Sequence, residues 1–267
     1  MSQSKNNLIS DIAEFLDIDE EVYGPHTVSS IRSDTTQIQS PDRNAESDEY
    51  DSHPELVQAE EPAPGQDAKK PQTLEDKLGA CKTLEELKIL CEEADELRTD
   101  LDGTNLVFGV GNPTADLMLI GEAPGQEEDR QGKPFVGAAG QLLNKILAAI
   151  NFERDDVYIA NILKHRPPGN RNPNPDERIR SLPYLLRQIE LIQPKIILCL
   201  GKVSGTTLLK KETTLKSLRG QFYPFHGTEL TVTYHPAALL RNPHWKRPAW
   251  EDVQKVRQRY DELRCKP

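Results

Sequence analysis

Paired cysteines, long apolar runs and, in its first third, basic charge are what this chain lacks. Its four cysteines, Cys81, Cys91, Cys199 and Cys265, form no CxxC pair. That scatter fits neither a disulfide framework nor a zinc knuckle. Cys199, inside KIILCLG, reads as a small buried hydrophobe. No apolar run approaches the ~20 residues of a membrane span, so no membrane contact is expected. The first twenty residues carry acids where a secretory leader would carry a basic start and an apolar centre. A cytoplasmic protein is expected.

The scarcity of basic residues is local. Residues 1–100 hold 25 Asp and Glu against 9 Lys and Arg, whereas residues 101–267 hold 18 against 24. The net charges are therefore −16 and +6, and the overall −10 hides a mildly basic C-terminal part. Such a part suits a polyanionic partner without requiring one. Residues 1–72 are polar, acidic and Pro-bearing, with little to bury, and are expected to form a largely disordered tail. Within it, Leu8, Ile12, Phe15 and Leu16 share a helical face, so a short helix near 8–18 is expected, suited to a protein partner.

A helical lead-in is expected over 73–103, and a larger domain over 104–267. In the latter NLVFGV, DLMLIG, DVYIANI, KIILCLG and ELTVTYHP read as strands. AAGQLLNKILAAI, PDERIRSLPYLLRQIELI (interrupted by Pro183) and AWEDVQKVRQRYDEL read as helices. The near-continuous apolar run of KIILCLG marks a strand buried on both faces. The alternation predicts an α/β fold with a mainly parallel sheet, whose ligands bind beyond the carboxyl ends of the strands.

Three segments fall at that edge. In GEAPGQEEDRQGKPFVG, Gly121 and Gly125 permit close backbone approach, Pro124 stiffens the turn, and Ala123 completes it. Glu122 can orient a water, and Phe135 offers a flat apolar face. In YIANILKHRPPGNRNP, Asn161 ends a strand with an amide that both donates and accepts, as a pyrimidine edge requires. Lys164, Arg166 and Arg171 follow as a candidate phosphate-contacting patch. In TYHPAALLRNP, His235 leaves a strand, and Leu239, Leu240 and Arg241 follow at an edge where exposed leucines invite a partner.

Taken together, GEAPGQEEDRQGKPFVGAAGQLL, VYIANILKHRPPGNRNPNPDE and TYHPAALLRNP resemble the family 4 uracil-DNA glycosylases over roughly residues 104–260. The resemblance implies a three-layer α/β/α sandwich around a mainly parallel four-stranded sheet. It also implies removal of uracil from single- or double-stranded DNA by a monomer. On that likeness Phe135 stacks on a flipped uracil, Asn161 reads its edge, His235 donates to O2, Glu122 handles the attacking water, and Leu239 or Leu240 fills the gap left in the duplex. A module that binds DNA or recruits a partner without catalysis is the competing reading, but it has no need of a water-orienting acid.

The likeness breaks at one feature. Family 4 members usually hold a [4Fe–4S] cluster on four cysteines. The matching positions here are Ala94, Leu97, His165 and Ser181. No metal site and no cofactor are therefore expected.

Overall fold

The computed structural model describes residues 73–265. The acidic tail and its expected helix lie outside the described residues. The lead-in forms two helices, α1 (Leu74–Ala80) and α2 (Leu84–Glu93). Thr73 and Thr83 each accept from the N–H three residues on, while Asp76 and Glu86 reach back, so both helices start with a reciprocal cap. The second cap divides what the apolar spacing alone reads as one helix.

The chain then enters the sheet with β1 (Val110–Gly111) and β2 (Leu117–Gly121). Helices α3 (Gln126–Gln131) and α4 (Ala138–Ala149) lead to β3 (Tyr158–Asn161). Next come α5 (Pro175–Ile192), β4 (Ile196–Leu200), α6 (Lys202–Leu209) and α7 (Leu215–Leu218). Strands β5 (Tyr223–Phe225) and β6 (Thr228–Thr233), then α8 (Pro236–Arg241) and α9 (Lys246–Glu262), complete the described chain.

The sheet has six strands in the order β1-β3-β2-β4-β6-β5. Its four central strands are parallel, as expected, and two short antiparallel strands, β1 and β5, line the edges. Every residue of β2 and β4 is buried. Successive side chains alternate between two cores. Leu117 and Leu119 face α4 and α9, with Leu143, Leu147, Val253 and Val256. Met118 and Ile120 face α5 and α6, with Leu185, Ile189 and Leu208. Helices lie on both sides, giving the three-layer sandwich.

Helix α5 runs unbroken through Pro183, contrary to the interruption expected. The carbonyl that Pro183 cannot serve belongs to Ile179, an exposed residue. A third core lies on the outer side of α5. There Leu78, Cys81, Leu87, Cys91, Ala94 and Leu97 close around Tyr184 and Phe108.

Candidate active site

Parallel pairing sets the site, because it aligns the carboxyl ends of neighbouring strands. Gly121 ends β2 directly opposite Asn161 at the end of β3. The register continues past the strands: Ile162 N–H donates to the Gly121 carbonyl and Leu163 N–H to that of Glu122, each at 3.1 Å. Glu122 is thereby held beside Asn161. On the other side of β4, β6 delivers His235 to the same edge, and the His235 and Phe135 rings lie 5.5 Å apart.

Gly121 is required by space. A Cβ there would lie 2.3 Å from the Asn161 Oδ1 and 2.6 Å from the Phe135 ring. The carboxamide and the phenyl ring thus converge on the strand end that glycine vacates. Asn161 is almost wholly buried, yet its Oδ1 has no hydrogen-bond partner. An unpaired buried acceptor costs about 1–3 kcal/mol, which a ligand N–H would relieve.

Phe135 stands at φ 51°, a strained backbone for a bulky residue. Two devices hold it. Val136 and Gly137 N–H both donate to Glu128 Oε1 at 2.9 Å. Gly140 lets α4 approach the loop, since a Cβ there would lie 1.9 Å from the Phe135 carbonyl oxygen. Sequence reasoning missed Glu128. Its partners lie eight and nine residues away, beyond any capping pattern. The carboxylate also suits the N-terminus of α4, where the helix dipole favours negative charge.

His235 caps α8, its Nδ1 accepting the Ala237 N–H at 3.1 Å. The ring proton of the neutral form therefore sits on Nε2. Burial, aided by the positive charge of Arg241, lowers the His235 pKa to about 4, so the ring is neutral at ordinary pH. Burial raises the Glu122 carboxyl, with Arg178 opposing.

Two sequence expectations are corrected here. Lys164 is fully buried and cannot reach a phosphate. Its ammonium donates to the carbonyls of Asn161 (3.1 Å) and Phe108 (3.3 Å) and to the Gln188 side chain, and burial lowers its pKa to about 8. It ties the end of β3 to α5 from within. Leu239 is likewise fully buried, in the core beside α4, and offers nothing to a duplex. Leu240 is partly exposed.

The remaining basic candidates differ from one another. Arg171 is paired twice with Glu177 at 2.8 Å and once with Asp100 at 3.1 Å, so its charge is already met. Arg166 is partly exposed and donates to Asn170, while Arg241 is exposed. Ala123 and Gly125 are partly exposed and Pro124 is buried in the turn.

The four positions matching the cluster cysteines do not fit such a group. Ala94 and Leu97 pack in the third core. Ser181 is buried, and His165 Nδ1 lies 3.0 Å from Thr104 Oγ1. Among the described residues no three His, Cys, Asp or Glu are grouped to hold a metal ion.

Comparison with known proteins identifies the family. The family model described as "Uracil DNA glycosylase superfamily" matches residues 108–254. The chain is 42% identical over 174 residues to the Type-4 uracil-DNA glycosylase of Archaeoglobus fulgidus, covering 62% of this chain and 86% of that protein. It is 47% identical over 163 residues to the Type-4 enzyme of Saccharolobus solfataricus, covering 58% and 76% respectively. The Type-5 uracil-DNA glycosylase of Pyrobaculum aerophilum is more distant, 30% identical over 149 residues, covering 49% and 66%. The chain belongs to the uracil-DNA glycosylase superfamily, on the side of its type-4 members.

Proposed function

We propose that the protein removes uracil from DNA, hydrolysing the N-glycosidic bond and leaving an abasic site for base excision repair. The observation that carries this reading is the unpaired Asn161 Oδ1, buried beside the Phe135 ring. A uracil extruded from the stack and laid on Phe135 presents N3–H to that oxygen and O4 to the amide N–H₂. Cytosine, with an acceptor at N3 and a donor at C4, reverses both contacts. A fixed amide therefore opposes it by the cost of unpaired buried groups.

The bond that breaks joins C1′ to N1, and its electron pair leaves with uracil. Neutral His235, with its proton on Nε2, donates to O2 as charge gathers there. A preorganised donor of this type contributes on the order of 100- to 1000-fold in rate. Glu122, as its carboxylate, orients the water and takes its proton as the water adds to the oxocarbenium-like sugar. Leu240, not Leu239, is the residue left to enter the duplex. Arg166 and Arg241 supply phosphate contacts. The turn of Gly121, Ala123, Pro124 and Gly125 lets the backbone approach the nucleotide.

The reading includes the absence of an iron–sulfur cluster, supported by apolar packing of Ala94 and Leu97 where thiolates would stand. It retains the sequence's division at 72/73 and 103/104, a monomer in the cytoplasm, and a protein partner for the tail. To test it, the full chain is incubated with a uracil-containing oligonucleotide and chelator, and abasic sites are cleaved with alkali. Strand scission is expected, with no stoichiometric iron or sulfide in anaerobically purified protein. No scission at enzyme excess refutes the activity, and about four irons per chain refutes the missing cluster.

A further inference from the structure

Among the described residues three large apolar side chains stand exposed: Ile89, Ile179 and Trp245. Trp245 lies in the segment that follows His235 at the catalytic edge. It ends the short 3₁₀ turn Pro243–Trp245 between α8 and α9 and is 37% exposed. Its indole stacks on Tyr234 at 5.1 Å between centroids, with the planes 20° apart. Tyr234 is the residue before His235, so the aromatic pair begins one residue from the group assigned to the leaving base.

The pair is fixed in place. Tyr234 packs on the main core. The Arg219 guanidinium lies 5.3 Å from the Tyr234 ring centre. Arg219 is in turn held by two bonds to the buried Asp252 carboxylate, at 2.8 and 3.0 Å. The Trp245 N–H donates to the Asn242 carbonyl at 3.0 Å. An aromatic face held this way loses little freedom when it meets a ligand.

The surroundings select the ligand. From Tyr234 to Trp250 the chain carries no Asp or Glu, but it carries Arg241, His244, Lys246 and Arg247. Arg241, His244 and Arg247 are exposed and lie within four residues of Trp245 in the sequence. Flat aromatic faces among cations are the arrangement by which proteins hold unpaired bases, with stacking for the base and cations for the phosphate. A protein surface would instead be met by mixed charge. A duplex keeps its bases stacked on one another and offers the indole no free face.

We propose that Trp245, backed by Tyr234, is a stacking platform for an unpaired base of single-stranded DNA next to the extruded uracil. The proposal rests on the glycosylase reading for its neighbour and goes beyond it in assigning a second base-binding position. It gives the protein a preference for unpaired over duplex DNA that the uracil pocket alone does not supply.

The test uses the full chain and uracil-free DNA, so that it does not depend on catalysis. Affinity for an oligothymidylate and for a duplex of equal length is measured by fluorescence anisotropy at fixed salt. Trp245→Ala is expected to weaken single-strand binding on the order of tenfold, with less than a twofold change on the duplex. Trp245→Tyr is expected to retain most of the affinity, and Ile89→Ala, exposed on α2 of the lead-in, to change neither. Single-strand affinity within twofold of wild type in Trp245→Ala, or equal losses on both DNAs, overturns the proposal. Should Trp245→Ala fold poorly, intrinsic fluorescence decides. Trp250 is buried, so quenching by oligothymidylate must come from Trp245 and vanish in Trp245→Phe. No quenching in the wild type also overturns it. Uracil release by the wild type, assayed separately, reports on the glycosylase reading alone.

Discussion

The carboxyl edge of the sheet and the helical lead-in on α5 are built on opposite rules. At the edge, polar and strained groups are left open. Asn161 Oδ1 is buried without a partner, Phe135 holds a positive φ, and His235 is kept neutral by burial. The unpaired Asn161 acceptor and the strained Phe135 backbone cost stability, and a ligand N–H would relieve the first. In the lead-in no buried side-chain polar atom lacks a partner. Ala94, Leu97 and Cys91 pack together, and Arg187 donates to the Cys81 carbonyl from α5. Ala94 and Leu97, two of the positions that the resemblance matches to cluster cysteines, lie in this apolar core. The lead-in packs against α5, and the expectation to be broken is that it supports the site without supplying its chemistry.

The largest expected effect lies at the edge. His235→Ala should slow single-turnover uracil release by roughly 100- to 1000-fold, with DNA affinity little changed. Loss of DNA binding with chemistry spared would assign His235 the wrong role. The matching change in the lead-in, Leu97→Ala, removes a side chain only 2% exposed. It should destabilise the fold by about 2–5 kcal/mol, read from denaturant midpoints, while the single-turnover rate per folded molecule stays at the wild-type value. A rate loss as deep as that of His235→Ala would erase the contrast between the regions.

A smaller effect follows from the titration of His235. Its folded pKa is about 4, against an ordinary value of about 6.5. As pH falls through that window the unfolded chain takes up the proton first, so the folded state loses stability from about pH 6.5 downward. Glu122, raised by burial, acts in the opposite sense but is common to wild type and variant. The His235→Asn variant should therefore lose less stability than wild type between pH 7 and pH 5, measured by urea unfolding. Equal losses would show that His235 does not carry this burden.

Much of the architecture could be read from residue patterns. The four central strands announce themselves because burial on both faces requires runs such as LMLIG and IILCL. The edge strands do not. Strand β1 has two residues, and β5 contains Pro224, which suits an edge but reads as a loop. Most of NLVFGV is not strand. Phe108 turns away into the third core, and only Val110 and Gly111 pair. The placement of Gly121, Asn161 and His235 at one edge was legible because parallel pairing aligns the strand ends, whereas Phe135 reaches that edge from the loop before α4. The burial of Lys164 and Leu239 was not legible. Past a strand end no periodicity says which residue turns inward, and here the first cation of the loop and the first leucine of the pair both do. Glu128 and Gly140 act on Phe135 across the fold and leave no local signal.

The central claim is that the unpaired Asn161 carboxamide recognises uracil. The most direct test is single-turnover base release by Asn161→Asp, compared with wild type, on otherwise identical uracil- and cytosine-containing oligonucleotides. The carboxylate keeps an acceptor for N3–H but has no donor for O4, and it can accept from the amino group of cytosine. Uracil release is predicted to fall by at least tenfold, with the ratio of uracil to cytosine release falling too. Unchanged uracil release and an unchanged ratio would contradict the account, because base choice would then be made elsewhere than at the end of β3.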